Sequence, residues 1–124
     1  TYVHFQQKAE RVKNDLLAFL IEQKRNGKKV AAYGAAAKGN TLLNYAGVKP
    51  DLLSFVCDAA SAKQNKFMPG SHIPILPPTV IAEEKPDFVV ILPWNIADEV
   101  MRQNELIRQW GGKFVTAVPK LELQ

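Results

Sequence analysis

Apolar residues recur at helical spacing in two long segments of the chain. Positions three to four residues apart predict an amphipathic helix over about Val3–Asn26, which Gly27 ends. A second long helix is predicted over Asn95–Trp110, with Asn95 as its N-cap and two glycines after its last residue. Shorter helices are predicted at 40–45 and 79–84.

Short continuous apolar runs predict the strands, at 29–33, 52–57, 88–92 and 114–118. Another short strand at 73–76 contains Pro74, which cannot donate a ladder hydrogen bond and is therefore expected at a sheet edge. Strands that alternate with helices favour a parallel sheet covered on both faces. We therefore predict one Rossmann-like α/β domain over residues 1–124, with three layers and a mostly parallel sheet of about five strands. Residues 1–27 form its leading helix.

The composition and the net charge of the chain exclude several classes of function. The chain has 124 residues, which suits one domain, and its 16 basic and 12 acidic residues give a net charge of +4. The basic residues alternate with acidic ones and form no stripe with aromatics, so no nucleic-acid partner is expected. No apolar run reaches the roughly 20 residues of a membrane span. The single cysteine, Cys57, excludes a disulfide framework and is typical of the cytoplasm.

A small-residue loop follows the first predicted strand. It has the dinucleotide-binding spacing at Gly34, Ala36 and Gly39, with alanine in place of the middle glycine. Backbone N–H groups at the start of the next helix attract phosphate, whereas the alternative is a tight turn that needs small residues for packing. Asn40 replaces the lysine of a nucleotide-hydrolysing P-loop, which disfavours that class. Asp58 is placed either to bond a ribose hydroxyl or to form a turn.

Four segments are expected to meet at the carboxyl edge of the sheet, where parallel sheets bind ligands. They are the Gly34–Asn40 loop, Asp58, Pro69–Pro74 and Pro93–Asn95. Within them, Trp94 is placed either to stack on a base or sugar or to cover the core. His72 either contacts phosphate or is an ordinary loop histidine. The sequence has no paired carboxylates, metal-spaced cluster or nucleophile elbow.

Several motifs agree in order and spacing with one known family. They are residues 33–44, Asp58, Lys63-Gln64, 67–75, 92–95 and 110–114. Together they resemble the C-terminal domain of S-adenosylmethionine-dependent C-methyltransferases, whose known members methylate carbons of nucleotide-linked deoxysugars of the dTDP type. The resemblance covers about Val3 to Pro119.

The resemblance implies that this domain is one of several in a longer polypeptide. The chain begins with Thr1 rather than methionine, which also leads us to expect a longer polypeptide. An N-terminal zinc-binding domain and a central domain that binds S-adenosylmethionine would precede this one, so no cofactor is expected in this chain. The expected partners are a nucleotide-sugar substrate and the upstream methyl-donor-binding domain, and this piece is expected to be inactive alone. Lys38 is expected to meet phosphate charge, and Asn40 and Asn95 to make polar contacts. The candidate substrate-binding residues are Gly34, Ala35, Ala36, Lys38, Gly39, Asn40, Asp58, Gly70, His72, Trp94 and Asn95.

Two other functions stay open on the sequence. Gly34, Gly39 and Asp58 are also the pattern of an NAD-binding domain of an oxidoreductase, although Ala36 and the lack of a substrate domain oppose it. A purely structural or oligomerising module is the other alternative.

Overall fold

The computed structural model describes the backbone of residues 2–35, 37–116 and 122–123, and the side chains of 10–35, 39–93 and 95–116. The helices are α1 (Tyr2–Arg25), α2 (Ala37–Ala46), α3 (Thr79–Glu84) and α4 (Ala97–Gln103). Two 3₁₀ segments flank α4, at Trp94–Ile96 and Glu105–Trp110. Within this described backbone, no helix combines the length and apolar character needed to cross a membrane.

Over the described backbone, seven strands form one sheet in the order β3-β4-β2-β1-β5-β6-β7. The strands are β1 (Val30–Tyr33), β2 (Val56–Cys57), β3 (Lys66–Phe67), β4 (Pro74–Leu76), β5 (Phe88–Ile91), β6 (Lys113–Thr116) and β7 (Glu122–Leu123). The five central strands are parallel, and the short edge strands β3 and β7 are antiparallel to their neighbours. The predicted α/β class is therefore confirmed, with two additional edge strands.

Helices cover both faces of the sheet, because the alternating side chains of the parallel strands are apolar on both sides. On one face, α1 and α2 bury Leu16, Leu20 and Leu43. On the other, α3, α4 and the 105–110 segment bury Ile81, Val100 and Ile107. Each face thus has its own apolar core, which makes the three layers.

The expected edge position of Pro74 is wrong. β4 lies between β2 and β3, with Pro74 opposite Phe67 in the antiparallel pair. The paired residues of β2 face Ile75 and Leu76 instead, so the missing N–H of Pro74 falls at the first residue of the strand.

The long helix predicted over Asn95–Trp110 is also wrong in detail, because it is three shorter segments. Asn104 interrupts it: the backbone there has a φ of −121°, and the buried side-chain amide donates to the Val100 carbonyl at 2.9 Å. The residue that precedes α4 is Ile96, so Asn95 is not its N-cap.

The other boundaries differ by a few residues. The predicted strand 52–57 forms a ladder only at β2, since residues 50–52 belong to a turn and 53–55 have no regular structure. α2 begins three residues earlier than Asn40. The last predicted strand extends to Thr116, and its remaining residues, 117–118, lie outside the described residues.

Candidate functional site

The turn after β1 requires glycine at its first position. Gly34 has a φ of +97°, in the region that L side chains rarely adopt. A Cβ atom there would overlap the ring of Pro93. The Gly34 N–H donates to the Cys57 carbonyl at 2.7 Å, which ties the ends of β1 and β2 together. The turn is therefore held against both neighbouring strand ends.

Asp58 fixes this turn from the end of β2. One carboxylate oxygen accepts the Ala35 N–H at 2.8 Å, and the other accepts the Ala60 N–H at 2.8 Å. The Gln64 side-chain amide donates to the Asp58 carbonyl at 2.8 Å. This geometry is that of the turn-forming alternative, because both oxygens already accept backbone amides. A contact of Asp58 with a ribose hydroxyl stays a prediction.

Lys63 holds the opposite side of the same turn. Its ammonium group donates to the Ala35 carbonyl at 3.2 Å, so Asp58 and Lys63 bind the two polar backbone groups of Ala35. In the part of the chain with described side chains, no carboxylate lies within ion-pair distance of Lys63. The turn therefore carries one negative charge from Asp58 and one positive charge from Lys63, which do not form a direct ion pair.

The start of α2 packs closely on the end of β5. Gly39 is buried, and a Cβ atom there would lie 2.7 Å from the Cβ of Leu92. This contact explains the glycine by packing. The next residue, Asn40, has a buried side-chain oxygen without a hydrogen-bond partner. The first N–H groups of a helix lack intrahelical acceptors, so this end of α2 presents donors and a partial positive charge at the sheet edge.

Three candidate residues of this edge are incompletely described. Ala36 lies outside the described residues, as do the side chains of Lys38 and Trp94. The segment that follows β5 does meet the glycine turn, since Pro93 contacts Gly34. Asn95 is exposed and lines a separate depression of about 270 Å³ beside the start of α4.

Of the Pro69–Pro74 stretch, Pro69 lines a pocket together with Ala35 and Asn40, whereas Gly70 and His72 lie away from this crevice, contrary to the expectation. β3 is antiparallel to β4 and carries the chain from Asp58 back toward the amino end of β4. The intervening turn therefore packs beside the last part of α2, where Asn44 donates to the Pro69 carbonyl at 3.0 Å. Gly70 and the exposed His72 lie in this turn, at the opposite edge from the Gly34 turn.

A pocket of about 430 Å³ lies between the glycine turn, α2 and the β3–β4 pair. Its lining includes Ala35, Asn40, Lys63, Lys66, Phe67 and Met68. We call it the Phe67 pocket. The family motifs in the sequence include Lys63 and Phe67, but the sequence pattern assigns neither residue a contact. The sequence signal for this pocket is the presence of two lysines, Lys63 and Lys66, and the aromatic Phe67 within five consecutive positions.

The ionisable groups beneath the turn are buried. Burial, and secondarily the charge of Asp58, raises the pKa of the Cys57 thiol to about 12. Burial also raises the pKa of Tyr33, with Asp58 as the next cause. Both groups are therefore neutral near pH 7. Among the described side chains, no three His, Cys, Asp or Glu residues are grouped as metal ligands.

Residues 1–119 match a family model described as the C-methyltransferase C-terminal domain. This match covers nearly the whole chain. The chain belongs to this family. A curated relative, the C-methyltransferase NovU of Streptomyces niveus, is 35% identical over 119 residues. That alignment covers 96% of this chain and 28% of NovU, so the chain spans less than a third of that relative's length.

A solved structure shares the fold of this C-methyltransferase C-terminal domain. The UDP-D-quinovosamine 4-dehydrogenase of Vibrio fischeri superposes with a TM-score of 0.51 at 22% identity. The match covers 72% of this chain and 76% of the dehydrogenase chain. It supports the Rossmann-like fold.

Proposed function

We propose that this domain holds the nucleotide-linked sugar substrate of an S-adenosylmethionine-dependent C-methyltransferase. Upstream domains of the same polypeptide bind S-adenosylmethionine and zinc and supply the groups that take part in methyl transfer. The domain itself supplies a binding surface at the carboxyl edge of its sheet and is inactive alone.

The observation that carries this proposal is the braced turn at the end of β1. Asp58 and Lys63 fix the two backbone groups of Ala35 beside the first turn of the ten-residue helix α2. A fixed turn at a helix start is suited to phosphate, because the N–H groups and the helix dipole favour an anion there. The diphosphate of a nucleotide-sugar is such an anion.

The chemistry of the described side chains supports a binding role over a catalytic one. Cys57 is the single cysteine, and with a pKa of about 12 it stays a neutral thiol near pH 7. His72 lies in the turn beside the last part of α2, away from the Gly34 turn. Neither residue is therefore placed to serve as a nucleophile or base for a substrate at the Gly34 turn.

Lys38→Gln tests the proposal in the polypeptide that contains this domain. Loss of one charge-assisted hydrogen bond to phosphate costs about 1.5 kcal/mol, or about a tenfold rise in the Kd of the nucleotide-sugar. The Kd of S-adenosylmethionine should not change, because that ligand binds elsewhere. Calorimetric titration measures both constants, and Lys28→Gln, an exposed lysine beyond the end of α1, is the matched control.

Two outcomes of that titration oppose the proposal. An unchanged Kd for the nucleotide-sugar in folded Lys38→Gln would show that Lys38 does not contact the phosphate. Tight binding of NAD by the unaltered polypeptide, with none of a nucleotide-sugar, would instead favour the oxidoreductase alternative.

A further inference from the structure

We infer that the Phe67 pocket holds the nucleobase of the nucleotide, with the Phe67 ring as its stacking surface and the diphosphate near Lys63 and Lys66. This inference rests on the proposed function and deepens it. It assigns the nucleobase to one pocket and makes Phe67 the main residue that the base contacts.

Phe67 exposes a large apolar ring to solvent in the unliganded domain, where the ring contributes little to stability. The residue is 63% exposed, the largest exposed fraction among the large apolar side chains that the structure describes. Its backbone is fixed by pairing with Pro74, and the next residue, Met68, is 2% exposed and donates its N–H to the Ile73 carbonyl at 2.8 Å. The ring therefore stands on an anchored strand at the pocket wall, as a stacking surface for a base requires.

Asn40 gives the pocket an unused hydrogen-bond acceptor. Its side-chain oxygen is buried without a partner, a state that ordinarily costs about 1–3 kcal/mol. Asn40 lines the same pocket as Phe67. Every nucleobase carries an N–H donor on its Watson–Crick edge, and this donor would supply the missing partner once the Asn40 amide turns toward the pocket. A stacked base thus satisfies the polar atom that the fold leaves unpaired.

The charge of the pocket suits a diphosphate rather than an uncharged ligand. Lys63 and Lys66 are exposed at its rim, and among the described side chains neither has a carboxylate within ion-pair distance. Lys63 also donates to the Ala35 carbonyl, so its ammonium group lies beside the Gly34 turn. A nucleotide whose base lies against Phe67 therefore extends its phosphates toward that turn and the start of α2.

The size of the pocket also agrees with this occupant. Its volume of about 430 Å³ falls within the range of about 300–1,000 Å³ that is usual for small-molecule sites. The lining is mainly apolar, from Ala35, Met68 and Ile75, with a few polar groups. This composition fits a planar nucleobase that carries a charged diphosphate.

The test measures the affinity of nucleoside diphosphates for the polypeptide that contains this domain. Calorimetry with dTDP, UDP, CDP, GDP and ADP first identifies the tightest ligand. Phe67→Leu should then weaken that ligand about tenfold, since stacking on an aromatic side chain contributes about 1–3 kcal/mol per base. Phe67→Trp should retain the affinity, because it keeps an aromatic face.

Matched variants separate stacking from general damage. Tyr45→Leu removes an aromatic ring that is 48% exposed on α2 and absent from the pocket lining, and it should leave the affinity unchanged. Lys66→Gln should weaken binding, and the loss should shrink as salt concentration rises, because exposed charges are screened. The urea midpoint of each variant, followed by circular dichroism, reports that this domain is folded.

The outcomes distinguish this inference from the proposed function. If the unaltered polypeptide binds a nucleoside diphosphate and folded Phe67→Leu binds it equally well, the pocket assignment is overturned and the proposed function stands. Equal losses in Phe67→Leu and Tyr45→Leu also overturn the assignment. If no nucleoside diphosphate binds the unaltered polypeptide, both proposals fail.

Discussion

At the scale of single residues, the site is organised by polar contacts to the backbone. Asp58 accepts two backbone N–H groups, while Lys63 donates to a carbonyl of the same turn. Sequence spacing indicates Asp58 as a site residue and leaves open whether it bonds a ribose hydroxyl or forms a turn. Only the hydrogen-bond geometry shows that its carboxylate is occupied by Ala35 and Ala60, since no pattern in the sequence specifies which groups a turn carboxylate meets.

Asp58→Ala should destabilise the fold. Two backbone N–H groups lose their acceptor, and we expect the free energy of unfolding to fall by about 1–3 kcal/mol. Urea denaturation followed by circular dichroism measures the change. Asp51→Ala is the matched control, because Asp51 is an exposed turn residue, and it should change stability by less than about 0.5 kcal/mol. Equal effects of the two substitutions would contradict the bracing role of Asp58.

Cys57 should resist thiol reagents in the native state. The residue is fully buried, and its pKa of about 12 lies far above the usual value of about 8.5, so almost no thiolate exists at pH 8. Labelling by a disulfide reagent should therefore be slow in buffer and rapid in urea. Rapid labelling of the folded protein would contradict the burial of this thiol.

The same thiol makes stability dependent on pH. A pKa that is higher in the folded than in the unfolded state means that the folded state holds the proton more tightly. The contribution is complete below the unfolded pKa and is lost as the pH rises from about 9 toward about 12. Cys57→Ala should flatten that part of the stability curve, as measured by urea midpoints across the range. An unchanged slope would exclude Cys57 as its source.

At the scale of secondary structure, most elements could be predicted because their apolar residues have a clear period. α1 agrees within a residue at each end, and α3 agrees at both ends. The second long helix could not be predicted correctly, since the apolar period continues through Asn104 while its buried amide interrupts the helix. The β3–β4 pair was missed because β3 has only two residues, both exposed.

That missed pair explains why Gly70 and His72 lie away from the Gly34 turn. Without β3, the sequence pattern predicts that the chain from Asp58 to Pro74 stays at the carboxyl edge. The antiparallel pairing instead places Gly70 beside Asn44, near the last part of α2. Pairing between two short strands depends on tertiary contacts, which local propensity does not encode.

Gly39→Ala tests the close packing of α2 on the sheet. In an open helix this substitution raises stability by about 0.8–1.0 kcal/mol. Here the new methyl group would lie 2.7 Å from the Cβ of Leu92, so we expect the sign to reverse, with a loss of about 1–3 kcal/mol. Thermal or urea unfolding measures the sign. A more stable variant would show that α2 does not pack on Leu92 as described.

Leu16→Ala tests whether α1 is an integral layer of the domain. Leu16 has no exposed surface, and its truncation should cost about 2–5 kcal/mol. Asn14→Ala, an exposed position on the same helix, should stay within about 0.5 kcal/mol of the parent protein. Similar small effects at both positions would mean that α1 stabilises the domain little.

At the scale of the whole molecule, the fold positions one edge for a ligand. The parallel strands β1, β2 and β5 end near the Gly34 turn, where Asp58, Lys63 and Pro93 converge. The fold class and this turn were predictable, because alternating apolar runs and a small-residue loop are local signals. The Phe67 pocket was not, since it is formed by segments that only the completed sheet brings together.

The proposed function requires that the nucleotide-sugar and S-adenosylmethionine bind different parts of one polypeptide, with the nucleotide-sugar bound to this domain. Hydrogen exchange on the polypeptide that contains this domain tests it most directly. Addition of a dTDP-linked sugar should slow exchange in residues 34–40 and 62–68, whereas S-adenosylmethionine should leave both segments unchanged. Protection of these segments by S-adenosylmethionine, or no protection by the bound nucleotide-sugar, would contradict the assignment of the nucleotide-sugar to this domain.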